Sequence, residues 1–132
     1  MQDRFKFRIW DKFCETWLTD FAINQDGEIN RFFNNEEALK RRFVLMQSTG
    51  LKDKNGKLIY EGDLVRYAEY EIEEIEPEWE YTEIVWGGNH HYPTFDLKIH
   101  EFDCNGLSYI FNEGWTIEVV GNIYENKELL NE

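Results

Sequence analysis

Turn residues interrupt this chain every several positions, and between the interruptions apolar and polar side chains alternate with a period of two. That pattern puts one set of side chains on one face of a strand, so it constrains the chain towards short, half-buried strands. Phe5, Phe7 and Ile9 alternate with Lys6, Arg8 and Trp10, and Phe13, Trp17 and Phe21 fall on one side of a second run. Asp26-Gly27 is a hairpin signal, because glycine adopts a positive φ freely, and Glu28 to Phe33 is the return strand. Phe43 to Gln47 reads as a buried strand, followed by turns at Ser48-Thr49-Gly50 and Asn55-Gly56 around Leu51 to Lys54. Leu58 to Tyr60 is short and apolar, and Glu61-Gly62-Asp63 turns the chain into a strand from Leu64 to Tyr67. Arg66 to Trp86 reads as a long hairpin with Pro77 at its tip or an edge, since proline donates nothing to a ladder. Thr94 to Phe102, Leu107 to Phe111 and Trp115 to Val120 are the last strands, and Gly121 breaks the final one. Helix is confined to Asn34 to Arg42, where Glu36 and Glu37 suit a first turn, and to Lys127 to Asn131, capped by Asn126. The expectation is an all-β fold with minor α, in which Leu64, Val65, Val119 and Ile123 share one core with Tyr60 and Trp115 at its margin.

A chain of 132 residues fits one domain, and 17% aromatic and 42% hydrophobic residues supply a core without staples. The two cysteines, Cys14 and Cys104, lie 90 residues apart with no CxxC pair. The first residues mix charge with aromatics instead of forming an apolar leader, and no run reaches the ~18 apolar residues of a membrane span. These features predict a cytoplasmic protein with reduced thiols and no membrane contact. Net charge is −13 and unevenly spread: residues 1–66 hold 12 Lys and Arg against 11 Asp and Glu, residues 67–132 hold 2 against 16. A half this acidic repels polyanions, which argues against simple nucleic-acid binding.

Three stretches, FKFRIWD from Phe5, LMQSTGLKDKNGKLIYEGDLV from Leu45 and WTIEVVGNIYENKELL from Trp115, resemble the YopX family of phage and prophage proteins. The resemblance implies a β-rich fold built around a small SH3-like barrel. Leu58 to Tyr67 would supply its early strands and Thr116 to Tyr124 would close it. On this expectation the chain is one YopX-like domain, with residues 1–48 an N-terminal β region and 49–132 a barrel carrying an inserted hairpin at 66–86. It implies no activity. The recurring residues suit folding roles: Gly50, Gly56 and Gly62 suit tight turns, and Asp53 and Asp63 suit Asx-type bonds to neighbouring amides.

Catalytic and metal readings fare poorly. DKNG from Asp53 is no EF-hand, because Leu58 stands at the sixth position and Leu64 at the twelfth. His90, His91, His100 and Cys104 offer no four-ligand zinc spacing, and neither P-loop nor GxGxxG nor GxSxG occurs. No cofactor or metal is expected, no catalytic residue stands out, and an enzyme of unknown type is the third reading. Lys40, Arg41 and Arg42 with Lys52, Lys54 and Lys57, near Phe32, Phe33 and Phe43, could form a basic patch. A nucleic-acid-binding barrel is therefore the second reading.

The first reading rests on the acidic ribbon from Glu69 to Glu83, which holds eight Glu and no base. A charged edge prevents sheet-to-sheet aggregation, and that suffices as an explanation. As a functional element it is an anionic arm for a basic protein of the host or phage, or for a neighbouring subunit in a homo-oligomer. Its candidate binding residues are Glu69, Glu71, Glu73, Glu78 and Glu80, with Trp79 and Tyr81 as apolar anchors.

Overall fold

Antiparallel pairing organises almost everything in the computed structural model, which describes residues 2–30, 41–68, 74–86, 94–98, 106–112 and 114–130. One four-stranded sheet has the order β2-β1-β5-β6, from β1 (Phe7–Asp11), β2 (Thr16–Trp17), β5 (Phe43–Lys52) and β6 (Leu58–Tyr60). A second has the order β10-β7-β8-β9, from β7 (Asp63–Ala68), β8 (Glu80–Trp86), β9 (Phe95–Leu97) and β10 (Thr116–Asn122). A small hairpin joins β3 (Ala22–Ile23) to β4 (Ile29–Asn30), with Gly27 at φ 79 in its turn. Among the described residues the other regular elements are a short helix, α1 (Gly106–Asn112), helical Arg41 and Arg42, and single 3-10 turns at Gln2–Phe5 and Lys127–Leu130. The fold is mostly β with little helix, as the alternation predicts.

The core lies on the inner face of the second sheet. Val65 and Tyr67 of β7, Ile84 of β8, Leu97 of β9 and Ile117 of β10 pack there with Leu107 and Ile110 of α1. Ile59 of β6 joins the same cluster, so the first sheet curls over the second and half closes a barrel. Two hydrogen bonds hold this closure: the Lys54 N–H donates to the Ile117 carbonyl at 2.9 Å, and the Val119 N–H to the side-chain Asp53 Oδ2 at 2.9 Å. Val119 and Trp115 pack at the cluster's margin, and Tyr67 stacks on Trp115 at 5.7 Å. Leu64 is buried but is no member of this cluster, because strand alternation turns it to the opposite face of β7. Ile123 lies beyond the end of β10 and is also outside the cluster, so the four-residue core expected from sequence is divided.

Four further expectations are corrected. Leu107 to Phe111 is helix, not strand: Leu107, Ile110 and Phe111 have i, i+3, i+4 spacing, which one helix face buries together. Gly114 marks its stop: the Trp115 N–H donates to Ile110 O and the Gly114 N–H to Phe111 O, a Schellman cap with Gly114 at φ 86. Ser48-Thr49-Gly50 is no turn but an irregularity within β5, where Ser48 Oγ accepts the Gly50 N–H and Thr49 Oγ1 donates to Ile59 O. Gly121 likewise sits inside β10, at a register shift facing Leu64. Phe13 leaves the side shared with Trp17 and stands 81% exposed on the β1–β2 turn. The helical patch at Asn34 to Arg42 falls mostly outside the described residues, with Arg41 and Arg42 helical at its end. The strands expected over Glu28 to Phe33 and Thr94 to Phe102 are described only at Ile29–Asn30 and Phe95–Leu97.

Candidate functional site

Register across β10, β7 and β8 sets Glu118, Arg66 and Tyr81 side by side on the outer face of the second sheet. Arg66 Nη2 lies 2.6 Å from Glu118 Oε2, and Arg66 Nε donates to the same oxygen at 2.7 Å. Trp79 lays its ring over the Arg66 guanidinium at 4.2 Å, and Lys54 Nζ stands 5.5 Å from that ring. A guanidinium stacks flat on an indole and keeps its in-plane N–H groups for a carboxylate, so the two contacts reinforce each other. Bonding to Glu118 raises the Arg66 pKa and keeps it a cation.

The next residue is held from the other face. Tyr67 donates its hydroxyl to Glu80 Oε2 at 2.7 Å, and burial followed by the Glu80 bond pushes the phenol well up. Trp79 and Glu80 thus pin the segment that leads into β8. Upstream of the pins, Glu74, Glu76 and Glu78 are exposed, and so is Ile75, at 62%. Glu74 has φ 73, a left-handed backbone conformation that costs a non-glycine residue on the order of 1 kcal/mol.

The sequence candidates are distributed accordingly. Glu69, Glu71 and Glu73 lie outside the described residues. Glu78 is exposed, Trp79 covers Arg66, Glu80 accepts from Tyr67, and Tyr81 is partly exposed beside Arg66. The ladder between β7 and β8 runs from Leu64↔Glu83 to Tyr67↔Glu80. The basic residues do not gather: Arg42 bonds Asp11 through Nε at 3.0 Å and Nη2 at 2.9 Å, Lys52 lies 4.0 Å from Asp3, and Lys54 stands by Trp79. Lys40, the three histidines and Cys104 are outside the described residues, and Cys14 is a free, exposed thiol. Among the described residues, no group of His, Cys, Asp and Glu is placed to hold a metal, and no helix is long and apolar enough to cross a membrane.

A second constellation joins the two sheets, and the sequence reading missed it. Arg8 of β1 lies 2.8 Å from Asp63 Oδ1, donates to the Glu61 carbonyl at 3.2 Å, and sits between the rings of Trp17 and Tyr60, 4.7 Å from each. Beside it Trp10 stacks on Tyr124 at 5.7 Å and Trp17 Nε1 donates to Glu125 Oε1 at 2.8 Å. Burial pushes Asp63 up, against the pull of Arg8; burial and then Glu83 push Glu61 up; burial also raises Tyr124. The available signal was the arginine inside the apolar FKFRIWD strand, which needs a carboxylate partner if it faces inward.

The family model described as YopX protein matches residues 6–131. In overall structure the chain is similar to protein EF1440 from Enterococcus faecalis, with 28% identity, a TM-score of 0.56, and coverage of 95% of this chain and 96% of that one. It is also similar to protein yopX from Bacillus subtilis, with 21% identity, a TM-score of 0.53, and coverage of 93% and 95%. No curated protein matches the chain.

Proposed function

The chain belongs to the YopX family, and on that premise we propose that it is a phage- or prophage-encoded accessory protein that acts by binding protein in the host cytoplasm. Its working surface is the acidic segment from Glu74 to Tyr81, carried on an SH3-like barrel spanning 49–132, with 1–48 as the N-terminal region of the same domain. Glu69, Glu71 and Glu73, which lie outside the described residues, belong to the same acidic ribbon of the sequence. The observation that carries the reading is the double pinning at Trp79 and Glu80, on Arg66 and Tyr67, which leaves the carboxylates of Glu74, Glu76 and Glu78 in water. A purely insulating edge needs charge but no fixed attachment. A segment already ordered before encounter loses less freedom on binding, and its charge speeds the approach of a basic partner. The engagement of Arg42 with Asp11 weighs against the nucleic-acid reading, since a cation already paired with a carboxylate attracts phosphate less.

The test compares the intact chain with a Glu74→Gln, Glu76→Gln, Glu78→Gln variant as bait in bacterial lysate at low and high salt. The expected result is a basic protein captured by the intact chain at low salt, released at high salt, and absent with the variant. Equal capture by both baits rejects the reading.

A further inference from the structure

Two hairpin turns of this chain are built alike, bond for bond. In the β3–β4 turn, Asn24 Oδ1 accepts the N–H groups of Asp26 and Glu28 at 2.9 Å each, and the Gly27 N–H donates to Asn24 O at 3.0 Å. In the β5–β6 turn, Asp53 Oδ1 accepts the N–H groups of Asn55 and Lys57 at 2.9 Å each, and the Gly56 N–H donates to Asp53 O at 3.0 Å. Gly27 and Gly56 both have a left-handed φ, 79 and 81. What hangs on the two turns differs. Asn24 turns its remaining group, Nδ2, to Glu28 of its own turn. Asp53 reaches across to the Val119 N–H, and its neighbour Lys54 bonds Ile117, so the β5–β6 turn carries both closure bonds of the half barrel. At its apex stands Asn55, exposed, with no hydrogen bond from its side-chain amide among the described residues.

We propose that Asn55-Gly56 is a site of spontaneous deamidation, and that its isoaspartate product loosens the half-closed barrel. An asparagine side chain is open to attack by the backbone nitrogen of the next residue, and glycine leaves that nitrogen unscreened. A Cβ at Gly56 would meet no atom within 4 Å, so solvent reaches the reacting atoms. Hydroxide takes the Gly56 N–H proton, the nitrogen bonds to Asn55 Cγ, and the Cγ–Nδ2 bond breaks with release of ammonia. The resulting succinimide takes up one water. Where water cleaves the ring at the main-chain carbonyl, Gly56 stays joined through Asn55 Cγ, with one more carbon in the main chain and a new carboxylate. The Gly56 N–H is bonded to Asp53 O in the folded turn, so attack requires local opening and the folded chain reacts more slowly than the unfolded one. Once lengthened, the turn no longer brings the N–H groups of residues 55 and 57 to one Asp53 oxygen. Asp53 then loses the position from which it holds Val119.

Ageing the full chain in mildly alkaline buffer, then digesting it with a glutamyl endopeptidase, tests this. The fragment 38–61 holds Asn55 as its single asparagine and separates it from the other Asn-Gly pair of the sequence, Asn105-Gly106. The expected result is isoaspartate in that fragment, read by mass and by isoaspartyl methyltransferase labelling, and formed faster when the chain is aged in denaturing urea. Asn24 and Asn122, whose side-chain oxygens accept backbone N–H groups, should keep their amides in the folded chain. The urea midpoint of the aged wild type should fall, and that of aged Asn55→Gln, whose attack would need a larger ring, should fall less. Fresh Asn55→Asp adds the charge without the extra carbon, so it should keep the wild-type midpoint. A fragment that stays unconverted, or a midpoint that ageing leaves unchanged or lowers equally in Asn55→Gln, overturns the inference. A fresh Asn55→Asp chain as weakened as the aged wild type overturns the role given to the lengthened turn.

Discussion

At the scale of single residues, buried carboxylates act as staples, and their identity matters beyond their charge. Asp53 accepts the N–H groups of Asn55 and Lys57 on Oδ1 and that of Val119 on Oδ2, tying the β5–β6 turn to β10. Asp53→Asn keeps one acceptor oxygen but points an amide donor at a donor, so it should cost about 1–3 kcal/mol in urea unfolding. Asp63 does the same for the Tyr60 N–H. The bonds to Asn55, Lys57 and Tyr60 were legible in the DKNG and EGD motifs, because they are local; the bond from Val119 to Asp53, across 66 positions, was not. The role of Asp11 was not, because its partner Arg42 is 31 positions away. These groups also set the pH response. The Arg42 guanidinium beside Asp11 holds its carboxyl far below the ordinary 3.8, so that contribution is present above this value and is lost as pH falls below it. Glu61 is raised above its ordinary 4.5, so the folded state holds that proton more tightly. Its contribution is complete below 4.5 and is lost as pH rises through the raised value. The urea midpoint should therefore be higher at about pH 5 than at about pH 7.5, and Glu61→Gln should shrink the difference. An unchanged difference in that variant would place the effect elsewhere.

At the scale of elements, strands were legible where the side-chain period was two, and the failures share a cause. Leu107 to Phe111 is aromatic and apolar over a run too short for periodicity to separate strand from helix. What separates them is the glycine after it, at a position where a Schellman cap requires a left-handed residue. Gly114→Ala should therefore cost about 1 kcal/mol, a loss that a glycine in a loose turn would not show. Gly121 illustrates the opposite error: a glycine read as a stop lies within β10. A Cβ there would collide with the side chain of Asn126, whose Oδ1 accepts the Asn122 N–H at 3.2 Å. Gly121→Ala should thus disrupt the β10 exit, while Ile117→Ala, fully buried in the core, should cost about 2–5 kcal/mol with no change in the sheet order. The family stretch from Val119 to Asn126 is in these terms a folding device: Asn122 Oδ1 caps Tyr124 and Glu125, and Asn126 fills the space that Gly121 leaves.

At the scale of the molecule, the two sheets meet partly through charge and aromatic faces, and Arg8 is the centre of that meeting. Its guanidinium touches Asp63, the Glu61 carbonyl and the rings of Trp17 and Tyr60, and so engages β1, β2, β6 and β7 together. The Asp63 side chain keeps only 2% of its exposure, so without Arg8 it is a buried carboxylate that has lost its ion-pair partner. Arg8→Met should therefore cost about 3–5 kcal/mol, more than the pair itself contributes. Asp63→Asn removes the orphaned charge yet keeps an acceptor for the Tyr60 N–H at 2.8 Å. The double variant should then be more stable than the sum of the two single losses, by roughly 1–3 kcal/mol. If the losses simply add, Arg8 contributes through its aromatic contacts and its bond to the Glu61 carbonyl, and the charge pair is incidental.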